Sequence, residues 1–300
     1  MTRNPIVPAL GAALLVSTYS HAQESFRDTL PEFDALRTTF TQTGDMDIDG
    51  NPGDLSISNY KLSSFLSKPI PLTSDLTLIP IFSYGLTELD FDGTGAAFPI
   101  QDENLHSASL SAIFIQNYRD SPWFAVGWTR AELATDFQGI DGEDFTFDIA
   151  LGVGYRVNDT FTIGAGFVVT NLNGDEEIFP GLNFIWTPTE KFTAGVFGPN
   201  IIARYDVNDS WFVSLNGSPG GGNWNIDNAA GQSRTIQLSS YWLGINTNHH
   251  IAGKLWFSAG VGYTFANEIE AGGNYGNGPS FSRDMDGAPL AQISLSLRKW

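Results

Sequence analysis

From Phe145 to Arg156 the chain alternates without a break. Phe145, Phe147, Ile149, Leu151, Val153 and Tyr155 fall on one face, and Thr146, Asp148, Ala150, Gly152, Gly154 and Arg156 fall on the other. Successive side chains of a strand point to opposite faces. The stretch therefore predicts a strand with one greasy, aromatic face and one small, polar or charged face. The same period recurs at Phe161, Ile163, Ala165, Phe167 and Val169, and again at Leu255, Phe257, Ala259, Val261, Tyr263 and Phe265. At the C-terminus Ile293, Leu295 and Leu297 oppose Gln292, Ser294 and Ser296. Weaker versions cover 33–42, 54–66, 75–89, 105–118, 122–136, 178–187, 191–206, 210–217 and 232–247. Several of these exceed the five to six residues usual in soluble sheets and match the 9–11 that cross a bilayer at a tilt.

The connections alternate in kind. Short turns fall near Arg119-Asp120-Ser121, Val157-Asn158-Asp159, Pro188-Thr189-Glu190 and Asn208-Asp209, and longer acidic or Gly-rich stretches at 43–53, 90–104, 137–143, 218–231 and 268–287. Short turns on one side and long loops on the other are the layout of an outer-membrane barrel. Two short turns follow one another, at 188–190 and 207–209, so the segment between them needs an outward reversal. Gly198-Pro199-Asn200 is the candidate, because Gly and Pro are turn residues. With it the count is fourteen strands; without it, twelve. The expected fold is all-β, a single transmembrane antiparallel up-and-down β-barrel of 12–14 strands.

A soluble barrel or sandwich would also alternate, but with its apolar face turned inward. Two features favour the membrane. Aromatics stand near strand ends, as with Phe145, Tyr155, Trp186 and Phe265, the placement of interfacial girdles. The opposite face carries Asp148, Arg156 and Arg204 as lumen charges, which a closed soluble core rarely tolerates unpaired. The chain ends on Trp300, and a terminal aromatic belongs to the assembly signal of such barrels. The positions two, four and six before it are Arg298, Ser296 and Ser294, so the apolar set is one residue out of phase.

Composition narrows the setting. Arg3 followed by IVPALGAALLV and Ser20-His21-Ala22 reads as a signal peptide, too short to span a bilayer as a helix. Residues 1–22 are the expected leader, 23–32 a short periplasmic segment and 33–300 the barrel, which places the protein in the bacterial outer membrane. Its expected partners are outer-membrane lipid, lipopolysaccharide and the barrel-assembly machinery. A net charge of −18 with only 15 Lys and Arg argues against nucleic acid. The absence of Cys removes disulfides, thiolate chemistry and N-terminal acylation.

Four stretches carry a family resemblance over roughly 33–300: LHSASLSAIF, ELATDF, FDIALGVGYRVNDTFTIGAGF and FPGLNFIWTPTEKFTAGVFGPNIIARYDVNDSWFV. With Leu105-His106-Ser107, the Trp186-Thr187-Pro188 turn, and Pro199 followed by Tyr205, the chain resembles a bacterial outer-membrane β-barrel family known only as a domain of unknown function. The resemblance implies a barrel and no activity.

Candidate chemistry is sparse. Asp45-x-Asp47-x-Asp49-Gly50 opens like a calcium loop, but its twelfth position is Ser56, with Asp54 at the tenth. The plain alternative is a solvated acidic loop, and no other cofactor is expected. His106-Ser107 occupies opposite faces of one strand and so makes no nucleophile–base pair, and His249-His250 lies in a turn with no carboxylate nearby in sequence. Gly152-x-Gly154 and Gly164-x-Gly166 sit inside strands with no following helix, unlike a phosphate loop. Acids crowd the presumed outer side, from Asp90, Asp92, Asp102 and Glu103 through Asp141, Glu143 and Asp144 to Asp175, Glu176, Glu177, Glu268, Glu270, Asp284 and Asp286. The expectation is a non-enzymatic, porin-like passive channel with an acidic outer mouth. A non-conducting structural or surface-interaction barrel, its lumen plugged by inward residues such as Ile79 and Ile81, is the alternative, and a lipid-modifying enzyme ranks last. Cleavage after Ala22 predicts that intact-mass measurement of the exported protein finds Gln23 at its N-terminus; retention of the leader would refute the assignment.

Overall fold

The computed structural model describes residues 34–94, 100–170, 177–227, 233–273 and 281–298. The leader with its Ala22 cleavage site, segment 23–32, Asp175, Glu176 and Trp300 lie outside the described residues. Fourteen long strands form the wall. They are β1 (Asp34–Thr43), β2 (Asp54–Phe65), β3 (Leu76–Asp92), β4 (Glu103–Asn117), β5 (Trp123–Thr135), β6 (Phe145–Asn158) and β7 (Phe161–Thr170). The rest are β8 (Glu177–Thr189), β9 (Phe192–Phe197), β10 (Asn200–Asn208), β11 (Trp211–Asp227), β12 (Ser233–Ala252), β13 (Leu255–Gly273) and β14 (Pro289–Arg298). Each pairs antiparallel with its sequence neighbours, and β1 pairs with β14 from Arg37↔Ser296 to Thr43↔Leu290, which closes the sheet into a barrel.

Closure leaves two faces, and their chemistry tells which solvent each meets. Phe145, Phe147, Leu151, Val153, Ile163, Phe167, Val261, Tyr263, Ile293 and Leu295 all point outward and are exposed. The inward set on the same strands is Asp148, Ala150, Ser258, Ser294 and Ser296, all buried. An apolar exterior around a polar interior is the arrangement of a barrel in lipid, the reverse of one in water. Aromatic pairs mark both edges of the exterior band. Trp123–Tyr155, Trp186–Phe192 and Trp211–His249 line the short-turn, periplasmic side, and Tyr241–Phe265 stands on the outer side.

The reversal at Gly198 settles the strand count. Gly198 has φ +57°, which glycine adopts without the clash a Cβ brings. It turns β9 into β10, so 191–206 is a hairpin and not one interrupted strand. The expected long loops at 218–231 and 268–287 are corrected in turn. Strand β11 runs through 218–227, and β13 continues to Gly273 with a short strand, Phe281–Met285, paired back on it, because Trp224, Ile226, Ile236, Leu238, Ile269 and Ala271 all bury inside the outer end of the barrel. In β13 the inward parity changes at Ala266, where φ is +51° and a bulge opposes two residues to one on β12. Before it the odd positions face lipid; after it Asn267, Ile269 and Ala271 face inward. A left-handed conformation costs a residue with a Cβ roughly 1–2 kcal/mol, and a β-branched side chain suffers most. Ala266→Val should therefore lower the temperature at which the folded band disappears in heat-modifiability electrophoresis, and Ala266→Gly should not.

Candidate functional site

The lumen is the candidate site, and three regions of it are built differently. Its outer end is closed by an apolar cap. Leu55, Leu89, Leu105, Ala134, Trp224, Ile226, Ile236, Leu238, Ile269 and Ala271 point inward from strand ends. Met46, Ile48, Ile100, Met285 and Ala288 join them from the connections. The outer end of the β11–β12 hairpin crosses the mouth to reach the far wall, where Asn225 pairs with Thr135 of β5. Strands β6 to β10 contribute nothing to the buried residues of this cluster.

The cap accounts for the acidic motif. Asp45, Asp47 and Asp49 alternate with Met46 (1% exposed) and Ile48 (2% exposed), which bury in the cap while the carboxylates face out. The period is that of an extended chain over a core, and among the described residues no group of three or more His, Asp or Glu is placed to hold a metal ion. Asp54 stands directly opposite Asp47 on one side and Asp92 on the other. Partial burial, then the carboxylates of Asp45, Asp92, Asp47 and Asp90, hold its carboxyl above the usual range. The result is a negatively charged outer rim standing over an apolar cap.

At mid-height the lumen carries a charge network. Asp148 (1% exposed) receives Arg130 at 2.6 Å and the Thr170 hydroxyl, and Arg130 also pairs with Glu132 at 2.8 Å. Lys61 projects inward between outward Tyr60 and Leu62, within electrostatic reach of Glu132, Arg130 and Arg37. Lys61 is enclosed by the wall yet exposed to lumenal solvent. The three expected lumen charges all face inward, but the fold does not gather them. Arg156 lies near the periplasmic end, donating to Asn117 Oδ1 at 2.8 Å beside the Phe124 ring. Arg204 pairs with Asp206 at 2.6 Å and stacks 3.9 Å over Phe212. Arg298, bonded to Asp34, shares the Phe212 ring at 4.6 Å. Sequence reasoning missed Lys61, Arg130, Glu132 and Arg298. The signal was available for Arg130 and Glu132, which share parity with inward Val126 and Trp128.

The third region is an apolar flank in the periplasmic half, where Ile79, Ile113, Ile115, Phe124, Val126, Trp128 and Ala150 cluster against Ile81 and Phe65. Beside it the wall is stripped to glycine. A Cβ on Gly154 would meet the Phe124 ring at 2.1 Å, so the ring occupies the space a side chain would need. His106 and Ser107 project to opposite faces. The imidazole bonds the Tyr84 hydroxyl at 2.7 Å and packs on Phe137, while Ser107 faces Gly85. His249 and His250 lie in β12 and not in a turn; outward His249 stacks on Trp211, and His250 packs on Trp256.

The model of a family described as a domain of unknown function (DUF6268) matches residues 82–274. No curated protein matches the chain. Among solved structures, the COG4313 outer membrane channel from Pseudomonas putida F1 aligns with 89% of this chain and 96% of its own, at 11% identity and a TM-score of 0.44. A Pseudomonas aeruginosa FadL homologue aligns with 90% and 91%, at 7% identity and a TM-score of 0.45. The NanC porin aligns with 88% and 100%, at 8% identity and a TM-score of 0.38.

Removing one member of a buried ion pair strands the other and costs about 3–5 kcal/mol. Arg130→Ala should accordingly lower barrel stability sharply, and adding Asp148→Ala should recover part of the loss. Urea titration followed by tryptophan fluorescence reads both. A loss in the double variant equal to the sum of the Arg130→Ala and Asp148→Ala losses would show that the pair is not coupled.

Proposed function

This chain belongs to the family described as a domain of unknown function, DUF6268, and we propose that it is a passive, porin-like channel whose outer mouth is closed by the apolar cap. The observation that carries the reading is Lys61. It faces inward from the middle of β2 and remains exposed, so the lumen below the cap keeps room for water and solute. Fourteen strands enclose more than the side-chain-filled interior of an eight-stranded barrel. The wall opposite the apolar flank is a polar ladder in which Gln292 reaches Thr41 and Ser258 bonds Asn248, a surface suited to water.

The rim supports a preference for cations. Asp45, Asp47, Asp54, Asp90 and Asp92 stand close enough for four of them to raise the fifth, and a cleft of one sign concentrates counter-ions. The field reaches only about 8 Å at physiological salt, so it acts at entry and not along the whole pore. Within the cap, the buried Trp224 indole N–H finds no acceptor among the described residues. An unmet donor costs about 1–3 kcal/mol, which favours a cap that can be displaced. Outer-membrane lipid, lipopolysaccharide and the assembly machinery are the partners this role needs.

A second reading, a non-conducting structural barrel, is favoured by the same cap if it never moves. Planar-bilayer recording separates the two. The wild type should give small, infrequent openings in KCl. Trp224→Ala with Ile226→Ala should enlarge them several-fold, and Asp47→Asn with Asp54→Asn and Asp92→Asn should reduce the cation preference. Silence from the wild type and the cap variant alike would establish the structural reading.

A further inference from the structure

The wall of this barrel is not of even height. Strand β9 has six residues, and its hairpin with β10 crests at Gly198-Pro199. At ~3.3 Å per residue and a tilt of ~40°, six residues raise the wall by about 15 Å, against an apolar band of ~25 Å. The neighbours continue upward past its last pairs. The outermost β8–β9 pair is Asn183↔Phe197, with one further bond from the Gly198 amide to the Leu182 carbonyl. The outermost β10–β11 pair is Ile201↔Gly217. Above these points the ladders of Glu177–Gly181 and Ser218–Gly222 run, among the described residues, to the strands on their far sides, β7 and β12. Pro180 and Pro219 stand on these two edges, and proline in sheets is confined to edges and bulges because it cannot donate to a ladder.

The gap lies within the lipid-facing band. On β8 the outward residues Leu182 (75% exposed) and Ile178 (65% exposed) stand at and above the crest, so apolar surface continues past the top of β9. Open sheet edges at that depth persist only where they are buried in protein or line a water-filled space. The lumen lies on the inner side of this gap. Immediately inside the crest, the inward Phe197 and Ile185 lead onto Phe124 and Val126 over the bare backbone of Gly154 and Gly164. The cap, meanwhile, closes the axial mouth from β11 round to β5 and draws none of its buried residues from β6–β10.

We propose that the barrel opens sideways into the outer leaflet between β8 and β11, and that small uncharged apolar molecules dissolved in the lipid enter the lumen over the β9–β10 crest. The inference rests on the channel reading and specifies its route and solute class. The cap blocks the straight path from outside, while the low wall places an apolar entrance at the level where such molecules partition.

The test uses the full-length protein in the outer membrane of cells with intact lipopolysaccharide, with N-phenyl-1-naphthylamine as the probe. Wild-type protein should speed its entry several-fold over cells lacking the barrel. Inserting two residues on each side of the Gly198-Pro199 turn raises the crest by about 7 Å along the strand and should return entry to background while KCl openings in planar bilayers persist. Wild-type entry that survives in the folded, raised-wall variant overturns the proposal. So does a wild type that conducts KCl yet never speeds probe entry, which leaves the channel reading intact; failure of both measurements removes both. A second measurement does not depend on the insertion folding. The chain has no cysteine, so bimane can be attached at Ile202→Cys, an inward position just below the crest, and at Ser294→Cys, inward behind a full-height wall. Brominated phosphatidylcholine should quench the first and not the second. Equal quenching, or none at Ile202→Cys, overturns the lateral opening.

Discussion

In hydrocarbon no water replaces a missing backbone partner, so every lipid-exposed N–H and C=O of a spanning segment must be bonded within the protein. The β1–β14 pairing that closes this sheet is the consequence, and the rest of the molecule depends on it. Once the ring is closed, each strand has one face in lipid and one in the lumen. The period-2 alternation is that division written into the chain. It explains why Phe147 and Asp148, adjacent in sequence, occupy surroundings as different as an acyl chain and a buried guanidinium.

Enclosing a lumen creates a second demand. Charges placed there lose bulk water and need partners. Arg130 answers it by serving Glu132 and Asp148 together, and the periplasmic arginines answer it by lying on aromatic rings, with Arg204 and Arg298 sharing Phe212. Lys61, still open to lumenal solvent, marks where the interior stays unfilled. The glycines beside Phe124 show the same economy in reverse, because a ring there takes the volume that side chains on the wall would need.

The cap and the low wall form one asymmetric arrangement. Strands β11–β13 run 17 to 20 residues, so their outer ends have length to spare and fold across the mouth to β5. Strands β9 and β10, at six and nine residues, have none. Closure at the top and absence of wall at the side therefore fall on neighbouring strands. The rim acids stand outside the cap and leave its core dry, as the alternation of Asp45, Asp47 and Asp49 with buried Met46 and Ile48 shows.

The barrel, its membrane-facing exterior and most strand positions were legible in the sequence, because lipid on one side and lumen on the other force a regular period of two. The reversal at Gly198-Pro199 was also legible, since alternating turns and loops required an outward turn there. The inward orientation of Asp148, Arg156 and Arg204 followed from parity alone. Other features depended on tertiary structure. Residues 218–231 read as a loop because Gly220, Gly221 and Gly222 look like punctuation, yet pairing with β12 holds 218–227 in a strand. The parity change at Ala266 leaves no mark in composition, because a bulge is fixed by the register of its partner strand. The alternation of acids with Met46 and Ile48 takes its meaning from a core for those two residues to bury in, and that core is assembled from strand ends far apart in sequence. Local patterning determined which side of the wall each residue faces. Only the closed barrel decided which residues meet across the lumen, because those neighbours are set by ring geometry and not by distance along the chain.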